Sequence, residues 1–500
     1  MEHESLDVLI VGAGLSGIGA ACHLQARTPG KTYAILEARE SLGGTWDLFR
    51  YPGIRSDSDM YTLGYSFRPW TQPKAIADGP SILRYIRETA EAYGVDRHIR
   101  YRRRVEQARW STDEQRWTVE ARDTASGALV RYTARFLFVC AGYYDYDEGY
   151  TPDIPGRERF QGRVVHPQKW TPDVDYDGKR VVVIGSGATA VTLVPELARR
   201  ASHVTMLQRS PTYIVSMPAT DRLAEWMRAR LSSEGAYAVT RWKNVLLGMG
   251  FYNFCRTAPS VAKKLLVRQM KRGAGREVDA RTHFTPAYDP WDQRLCLVPD
   301  GDLFAALRSG TASVVTDHIA SFTEKGLRLR SGRELEADLV VTATGLQLKF
   351  LGGMRLEVDG RLVEPSERMV YKGSMLDDVP NMAFAIGYTN ASWTLKCDLT
   401  SEYVCRLLQY MDARGYASAV PRKDDASLKE EPIIDFSSGY VRRSLDRIPK
   451  QGSRAPWRLY QNYAFDLALL RRGRIADRAM TFTKRGDRAG RRRSAPAPAR

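Results

Sequence analysis

Two kinds of hydrophobic run alternate along this chain. Residues 8–11 are continuously apolar, glycines follow at Gly12, Gly14 and Gly17, and apolar positions then recur at helical spacing through AACHL. A short continuous run reads as a buried strand, and the change of period behind a glycine turn predicts strand, tight turn and helix. A second apolar strand, YAILE, ends in Glu37. The same unit returns at KRVVVIGSGATAVTLVPELARR, with residues 181–184 as the strand and Gly185, Gly187 and Ala190 at the three turn positions. Its following strand ends in Arg209 and Ser210. Residues 217–292 break the alternation and read as helices rich in Arg, Lys, Trp and Tyr. The pattern predicts an α/β fold: two Rossmann-like dinucleotide-binding domains with a helical insertion in the second.

Each fingerprint position has a physical task. Gly12 permits the turn, Gly14 lets a pyrophosphate approach the backbone, and Gly17 lets the helix pack on the strand. The helix then aims its free N–H groups and positive dipole end at the phosphates. Glu37 lies 20 residues beyond Gly17, the spacing at which an acid bonds ribose hydroxyls, so this site favours an unphosphorylated adenosine ribose as in FAD or NAD. Arg209 at the matching place in the second copy offers a guanidinium fork to a 2′-phosphate, which favours NADPH. Two dinucleotides in one chain imply hydride traffic between them, and hence a flavoprotein oxidoreductase.

Composition narrows the destination of those electrons. The six cysteines show no CxxC pair and no metal-ligand spacing, so a disulfide is a poor acceptor and O2 the leading one. The longest apolar stretch, residues 245–255, falls short of the ~20 residues a membrane helix needs. The amino terminus lacks the basic region of a signal peptide, so a cytoplasmic enzyme is expected. The net charge of +17 would suggest nucleic acid, but residues 471–500 hold eleven Arg or Lys against two Asp. So +9 of the +17 lies in these last thirty positions, which are expected to be a disordered tail from about residue 486, and no nucleic-acid partner is expected. The 217–292 insertion is expected to cap a pocket. Its basic and aromatic residues also suit peripheral contact with a membrane surface.

One further stretch names a family. FQGRVVHPQKW places Phe160, Gly162, His166 and Trp170 in an FxGxxxHxxxW pattern, and GGTWDLFRYPGIRSD carries Gly44, Trp46, Tyr51, Pro52, Gly53 and Asp57. Both resemble signatures of the class B flavoprotein monooxygenases of Baeyer–Villiger type. The runs GTWDLFRYPGIRSDSDMYTLG, WDQRLCLVP and GYTNASWTLK are most similar to the thioamide-activating branch. The resemblance covers about residues 6–485.

That resemblance implies an NADPH-consuming, FAD-dependent monooxygenase that inserts one oxygen atom of O2 into ketones, giving esters or lactones through a C4a-peroxyflavin. S-oxidation of sulfides or thioamides is a further implied outcome. It puts Arg294 at the catalytic arginine and Asp57 at its carboxylate partner. A permanently charged guanidinium can stabilise the peroxide anion in a water-poor site. It implies Thr45, Trp46, Asp57, Tyr61, Val105, Thr344 and Gly345 around the flavin, and Ala188, Thr189, Arg209 and Ser210 at NADPH. His166 and Trp170 are expected to steer a linker between the domains and not to perform chemistry. Asn390 is expected near the flavin edge or the substrate. Gln293 stands where many relatives carry a lysine at the 2′-phosphate, leaving Arg209 as the main basis for NADPH preference. The alternatives are an N- or S-oxygenase without ketone activity and a plain reductase. The implied domain plan is FAD domain 1–150, signature linker 151–175, NADPH domain 176–216 and 293–364 around the insertion 217–292, FAD domain again 365–485, and tail 486–500.

Overall fold

In the computed structural model, which describes residues 3–434 and 438–486, the first apolar run is strand β1 (His3–Val11) and its helix is α1 (Leu15–Arg27). Strand β2 (Tyr33–Leu36) pairs parallel to β1 and is buried throughout, as its unbroken apolar run requires. Three helices follow: α2 (Thr45–Leu48), α3 (Met60–Leu63) and α4 (Gly79–Ala92). Asp59 caps α3 and Asp78 caps α4, each accepting a backbone N–H three residues on. The sheet is completed by β3 (Ile99–Arg100), β4 (Arg103–Ser111), β5 (Arg116–Asp123) and β6 (Leu129–Val139), with β6 parallel to β1 on the side away from β2. Strand β7 (Tyr144–Gly149) leads out of this domain.

The second sheet is wholly parallel. Strands β8 (Arg163–Val165) and β9 (Arg180–Ile184), helix α5 (Ala188–Leu197) and strand β10 (His203–Gln208) open it. Strand β11 (Ile214–Met217) leads into the insertion, which is α6 (Arg222–Arg228), α7 (Ser233–Thr257), α8 (Pro259–Ala274) and α9 (Ala280–His283). Strand β12 (Cys296–Pro299) closes it by pairing parallel to β11. Then come α10 (Asp302–Arg308), β13 (Ala312–Thr316), the antiparallel trio β14 (Ile319–Thr323), β15 (Gly326–Leu329) and β16 (Glu334–Glu336), and β17 (Leu339–Thr342). The strand order is β13-β10-β9-β17-β8.

The chain then returns. Strand β18 (Leu346–Leu348) runs antiparallel to β7, so the outgoing and incoming crossings form one two-stranded ladder. Strands β19 (Arg355–Val358) and β20 (Arg361–Leu362) extend the first sheet beside β4, residues 382–384 add a parallel strand to β6, and α11 (Trp393–Arg414) packs on α1.

Two expected boundaries move. The first domain resumes at β19, ahead of residue 365, because β19 and β20 are short strands whose partners lie far back in the sequence. Residues 151–175 are not a free linker, since β8 hydrogen-bonds to β17 as an edge strand of the second sheet. The tail expected at 486–500 lies outside the described residues apart from Gly486.

Candidate active site

A cavity of about 350 Å³ lies against the carboxyl ends of β1, β2 and β6, where an open α/β sheet binds its ligand. Gly12, Gly14, Glu37, Thr45, Trp46 and Val105 line it, together with Asp57, Ala188, Thr189 and Arg294. Gly12 has φ +100°, and a Cβ there would stand 2.7 Å from the Cys140 carbonyl oxygen. A Cβ on Gly17 would stand 1.8 Å from the Gly12 oxygen, so the strand-to-helix approach itself excludes a side chain. Gly14 differs. Its Cβ would meet Gly44 Cα at 3.5 Å and Gly44 N at 3.8 Å, ordinary contacts, so protein packing does not demand glycine there. The open space over Gly14 faces the cavity, and α1 begins with no side-chain cap on its free N–H groups and no acid in its first turn. This is the cradle an anionic pyrophosphate fits.

Glu37 is buried, with Oε2 accepting from the Ala13 N–H at 2.8 Å and Oε1 from the Arg39 N–H at 2.9 Å. Burial pushes its pKa up against those hydrogen bonds, and each oxygen keeps a lone pair for a ribose hydroxyl. The donor set therefore fits an adenosine dinucleotide. An aromatic wall that sequence reasoning missed completes the cavity: Tyr143 stacks on Trp393 at 5.0 Å, and Trp393 Nε1 donates to Ser16 Oγ at 2.7 Å. Tyr143 and Tyr144 sit just past the end of β6, the place in such a sheet where ligand-facing residues collect.

A smaller cavity of about 160 Å³ adjoins the first. Asp57, Ser58, Arg294 and Tyr388 line both. Arg294 Nη2 lies 3.0 Å from Asp57 Oδ2, with about a third of each side chain exposed. Arg294 is delivered by the residues just before β12, and Asp57 by the loop before α3. Tyr388 was unassigned from sequence, although it lies in the GYTNASW run. Its hydroxyl donates to Asp466 Oδ2 at 2.7 Å, and Lys396 Nζ approaches the same oxygen at 2.8 Å. Asn390 lines the smaller cavity and donates to the Gln461 carbonyl.

Three flavin assignments fall elsewhere. Tyr61 is 1% exposed and packs on Tyr237 at 6.0 Å, off the cavity lining, because the single turn of α3 points it into the core. Thr344 and Gly345 are held at the crossing between domains. Thr344 Oγ1 donates to the Tyr150 carbonyl, and the Gly345 carbonyl accepts from the Tyr150 N–H. The second fingerprint lies on the second domain with α5 as its helix. Gly185 has φ +134° and its Cβ would clash with the Ala343 oxygen at 2.3 Å, whereas Gly187 has nothing within 4 Å. Ala190 is in the core, Arg209 is exposed, and the Ser210 carbonyl accepts from Ser186 Oγ.

The signature residues make packing and hydrogen-bond contacts within the protein. A Cβ on Gly162 would meet the Phe160 ring at 2.5 Å, Phe160 packs on Phe322, and Trp170 packs edge-on to Tyr176. His166 Nδ1 accepts the Gln168 N–H at 3.2 Å, which leaves Nε2–H to donate to the Gly345 carbonyl at 3.2 Å. The ring thus spans both crossings, resting on Gly149 on one side. Burial holds its pKa below the ordinary 6.5. Because the folded value is depressed, its stabilising contribution is complete above about pH 6.5 and lost as pH falls through the lower folded value. Flavin-fluorescence melts should therefore show a drop in Tm below about pH 6.5 that His166→Gln reduces; parallel curves for the two proteins would refute a depressed His166 pKa.

The segment holding Asp57 also reaches the second domain. A Cβ on Gly53 would press on Glu196 of α5 at 3.0 Å, and the Arg55 guanidinium pairs with Asp302 at the start of α10.

Comparison with known proteins places this architecture. Residues 9–245 match the family described as pyridine nucleotide-disulphide oxidoreductase. The chain is 57% identical over 483 residues to the FAD-containing monooxygenase EthA of Mycobacterium tuberculosis, which covers 96% of this chain and 98% of that protein. The chain belongs to the FAD-containing monooxygenases. Another relative of this monooxygenase is the probable FAD-binding monooxygenase AlmA of Acinetobacter baylyi, 48% identical over 97% of each chain. An oxidised steroid monooxygenase bound to NADP shares the monooxygenase's fold with a TM-score of 0.75 at 23% identity, over 96% of this chain and 100% of that one. An open cyclohexanone monooxygenase does so with 0.73 at 20%, over the same shares. The six cysteines of this monooxygenase are all free and buried.

Proposed function

We propose that this FAD-dependent monooxygenase consumes NADPH to insert one oxygen atom of O2 into ketones, giving esters or lactones, and that the same centre oxidises sulfides and thioamides at sulfur. In balance, ketone, O2, NADPH and a proton give ester, NADP+ and water. The observation that carries the reading is the Arg294–Asp57 pair in the wall common to both cavities. FAD, when bound, supplies the redox chemistry, taking hydride equivalents from NADPH and passing them to O2.

The chain's own residues do the rest. Gly14 and the start of α1 receive the flavin pyrophosphate and Glu37 the ribose, while Thr45, Trp46 and Val105 flank the first cavity. Arg294 keeps a fixed positive charge at the junction, where negative charge develops during attack on a carbonyl. Asp57 orients that guanidinium and compensates it. Gly187, Ala188, Thr189, Arg209 and Ser210 take NADPH on the second domain. His166 and Trp170 govern how the two crossings move as the nicotinamide is repositioned. Peripheral membrane contact through the helical insertion belongs to this reading as well.

The test is product analysis with isotopically labelled O2: one labelled atom in the ester per NADPH supports the proposal. Label on sulfur alone, with ketones untouched, would replace it with a heteroatom oxygenase. Arg209→Ala should raise the KM for NADPH about tenfold, the loss of roughly 1.4 kcal/mol of charge-assisted binding, and leave that for NADH unchanged. Equal effects on both cofactors would remove Arg209 from the 2′-phosphate.

A further inference from the structure

Helix α7 divides two surfaces. Tyr237, Arg241, Val245 and Tyr252 recur at intervals of four and seven residues and look inward. Arg241 donates to the carbonyls of Tyr61 and Gly64, and Val245 and Tyr252 line the smaller cavity. On the other side Trp242, Leu246, Leu247, Phe251 and Phe254 stand exposed, Leu246 at 60% and Leu247 at 64%. A helix apolar on both sides is normally covered on both. Neighbouring α6 exposes Trp226, and α8 exposes Leu265. A bare apolar surface of this extent marks an interaction site.

Charge selects the occupant. Residues 222–276 hold twelve Arg or Lys against two Glu, +10 of the chain's +17. Lys264, Arg268, Lys271 and Arg272 of α8 are exposed. A second copy of the chain meeting this face would set like charges against each other. An anionic lipid surface satisfies both features, with rings and aliphatic chains among the acyl groups and ammonium and guanidinium groups at the headgroups. No helix among the described residues is long and apolar enough to cross a membrane, so the contact is one of lying on the bilayer.

The mouth of the smaller cavity adjoins this surface. Gly248 and Asn253 line the cavity and are exposed, between and beside the bare Leu247, Phe251 and Phe254. Resting on the reading of that cavity as the substrate pocket, we infer that α6–α8 dock on an anionic bilayer and that bilayer-dissolved carbonyl or sulfur compounds reach Arg294 past α7 without crossing bulk water.

The experiment uses the full-length holoenzyme with vesicles of phosphatidylglycerol or phosphatidylcholine. Co-sedimentation is expected with the anionic vesicles and at least tenfold weaker with the zwitterionic ones. The Lys264→Glu/Arg268→Glu variant, which keeps the basic tail, and the Leu246→Ser/Leu247→Ser variant should each lose at least tenfold in vesicle affinity. Anionic vesicles should lower the apparent KM for vesicle-borne 2-tridecanone at least tenfold relative to the Leu246→Ser/Leu247→Ser variant, and change that for water-soluble 2-butanone less than twofold. Absence of sedimentation, or a vesicle-free dimer that the leucine variant dissociates, overturns the docking. Sedimentation with equal KM values in wild type and variant overturns the delivery route and leaves the docking standing. Turnover of neither ketone, with sedimentation intact, overturns the ketone reading and the route that rests on it.

Discussion

Arg294→Ala should cut ester formation from ketones by about 10²–10³-fold, the loss that follows removal of one fixed electrostatic stabiliser from an active site. Flavin content should not change, because the substitution leaves the α1 turn and Glu37, the proposed pyrophosphate and ribose contacts, untouched. NADPH should still be oxidised, with hydrogen peroxide replacing ester. Sulfur oxidation should fall less, since attack on a carbonyl needs a nucleophilic oxygen and oxidation of a sulfide an electrophilic one. Arg294→Lys keeps the charge on a single point and loses the planar fork that meets Asp57, so it should lie between wild type and alanine. Asp57→Asn should resemble the lysine variant, since it removes the carboxylate charge that faces the guanidinium at 3.0 Å. Labelled-oxygen product analysis beside a peroxide assay reads all four proteins. Wild-type ester formation by Arg294→Ala would remove the arginine from the chemistry and with it the observation that carries the proposed function.

The legible parts of this molecule were local ones. Gly12 and Gly185 sit at positive φ with a carbonyl oxygen where a Cβ would go, so one residue type satisfies the backbone and the sequence declares it. Residues 8–11 of β1 and 181–184 of β9 are buried, continuous apolar runs for the same reason. Asp57 and Arg294 are separated by more than two hundred residues; nothing in their spacing joins them, and the family resemblance supplied the pairing that the fold brings to 3.0 Å. Tyr388 and Trp393 come from the return of the chain to the first domain, and their facing depends on how α11 docks against α1. The misplaced residues show the complementary failure. Thr344 and Gly345 end a strand as flavin-facing residues do, yet the ladder of β7 with β18 draws them to the crossing, against Tyr150 and His166.

Gly14→Ala and Gly17→Ala differ by three residues and should fail in different ways. The Gly17 Cβ would overlap the Gly12 carbonyl oxygen at 1.8 Å, and both atoms belong to backbone that β1 and α1 fix in place. Relief requires the helix to retreat from the sheet, a disruption of the kind that costs more than about 4 kcal/mol against a total stability of roughly 5–15. This variant should be insoluble or unfolded by circular dichroism. The Gly14 Cβ meets only ordinary contacts, and replacing an N-cap glycine by alanine costs the helix about 1 kcal/mol or less. Gly14→Ala should therefore give a folded protein with a native dichroism spectrum, no flavin absorbance and no NADPH oxidation. Gly187→Ala, with nothing within 4 Å, should fold and keep its flavin while losing NADPH-driven turnover. A yellow, fully loaded Gly14→Ala protein would show that the pyrophosphate does not lie over this turn. Loss of flavin from Gly187→Ala would show that the two fingerprints do not divide the two nucleotides between them.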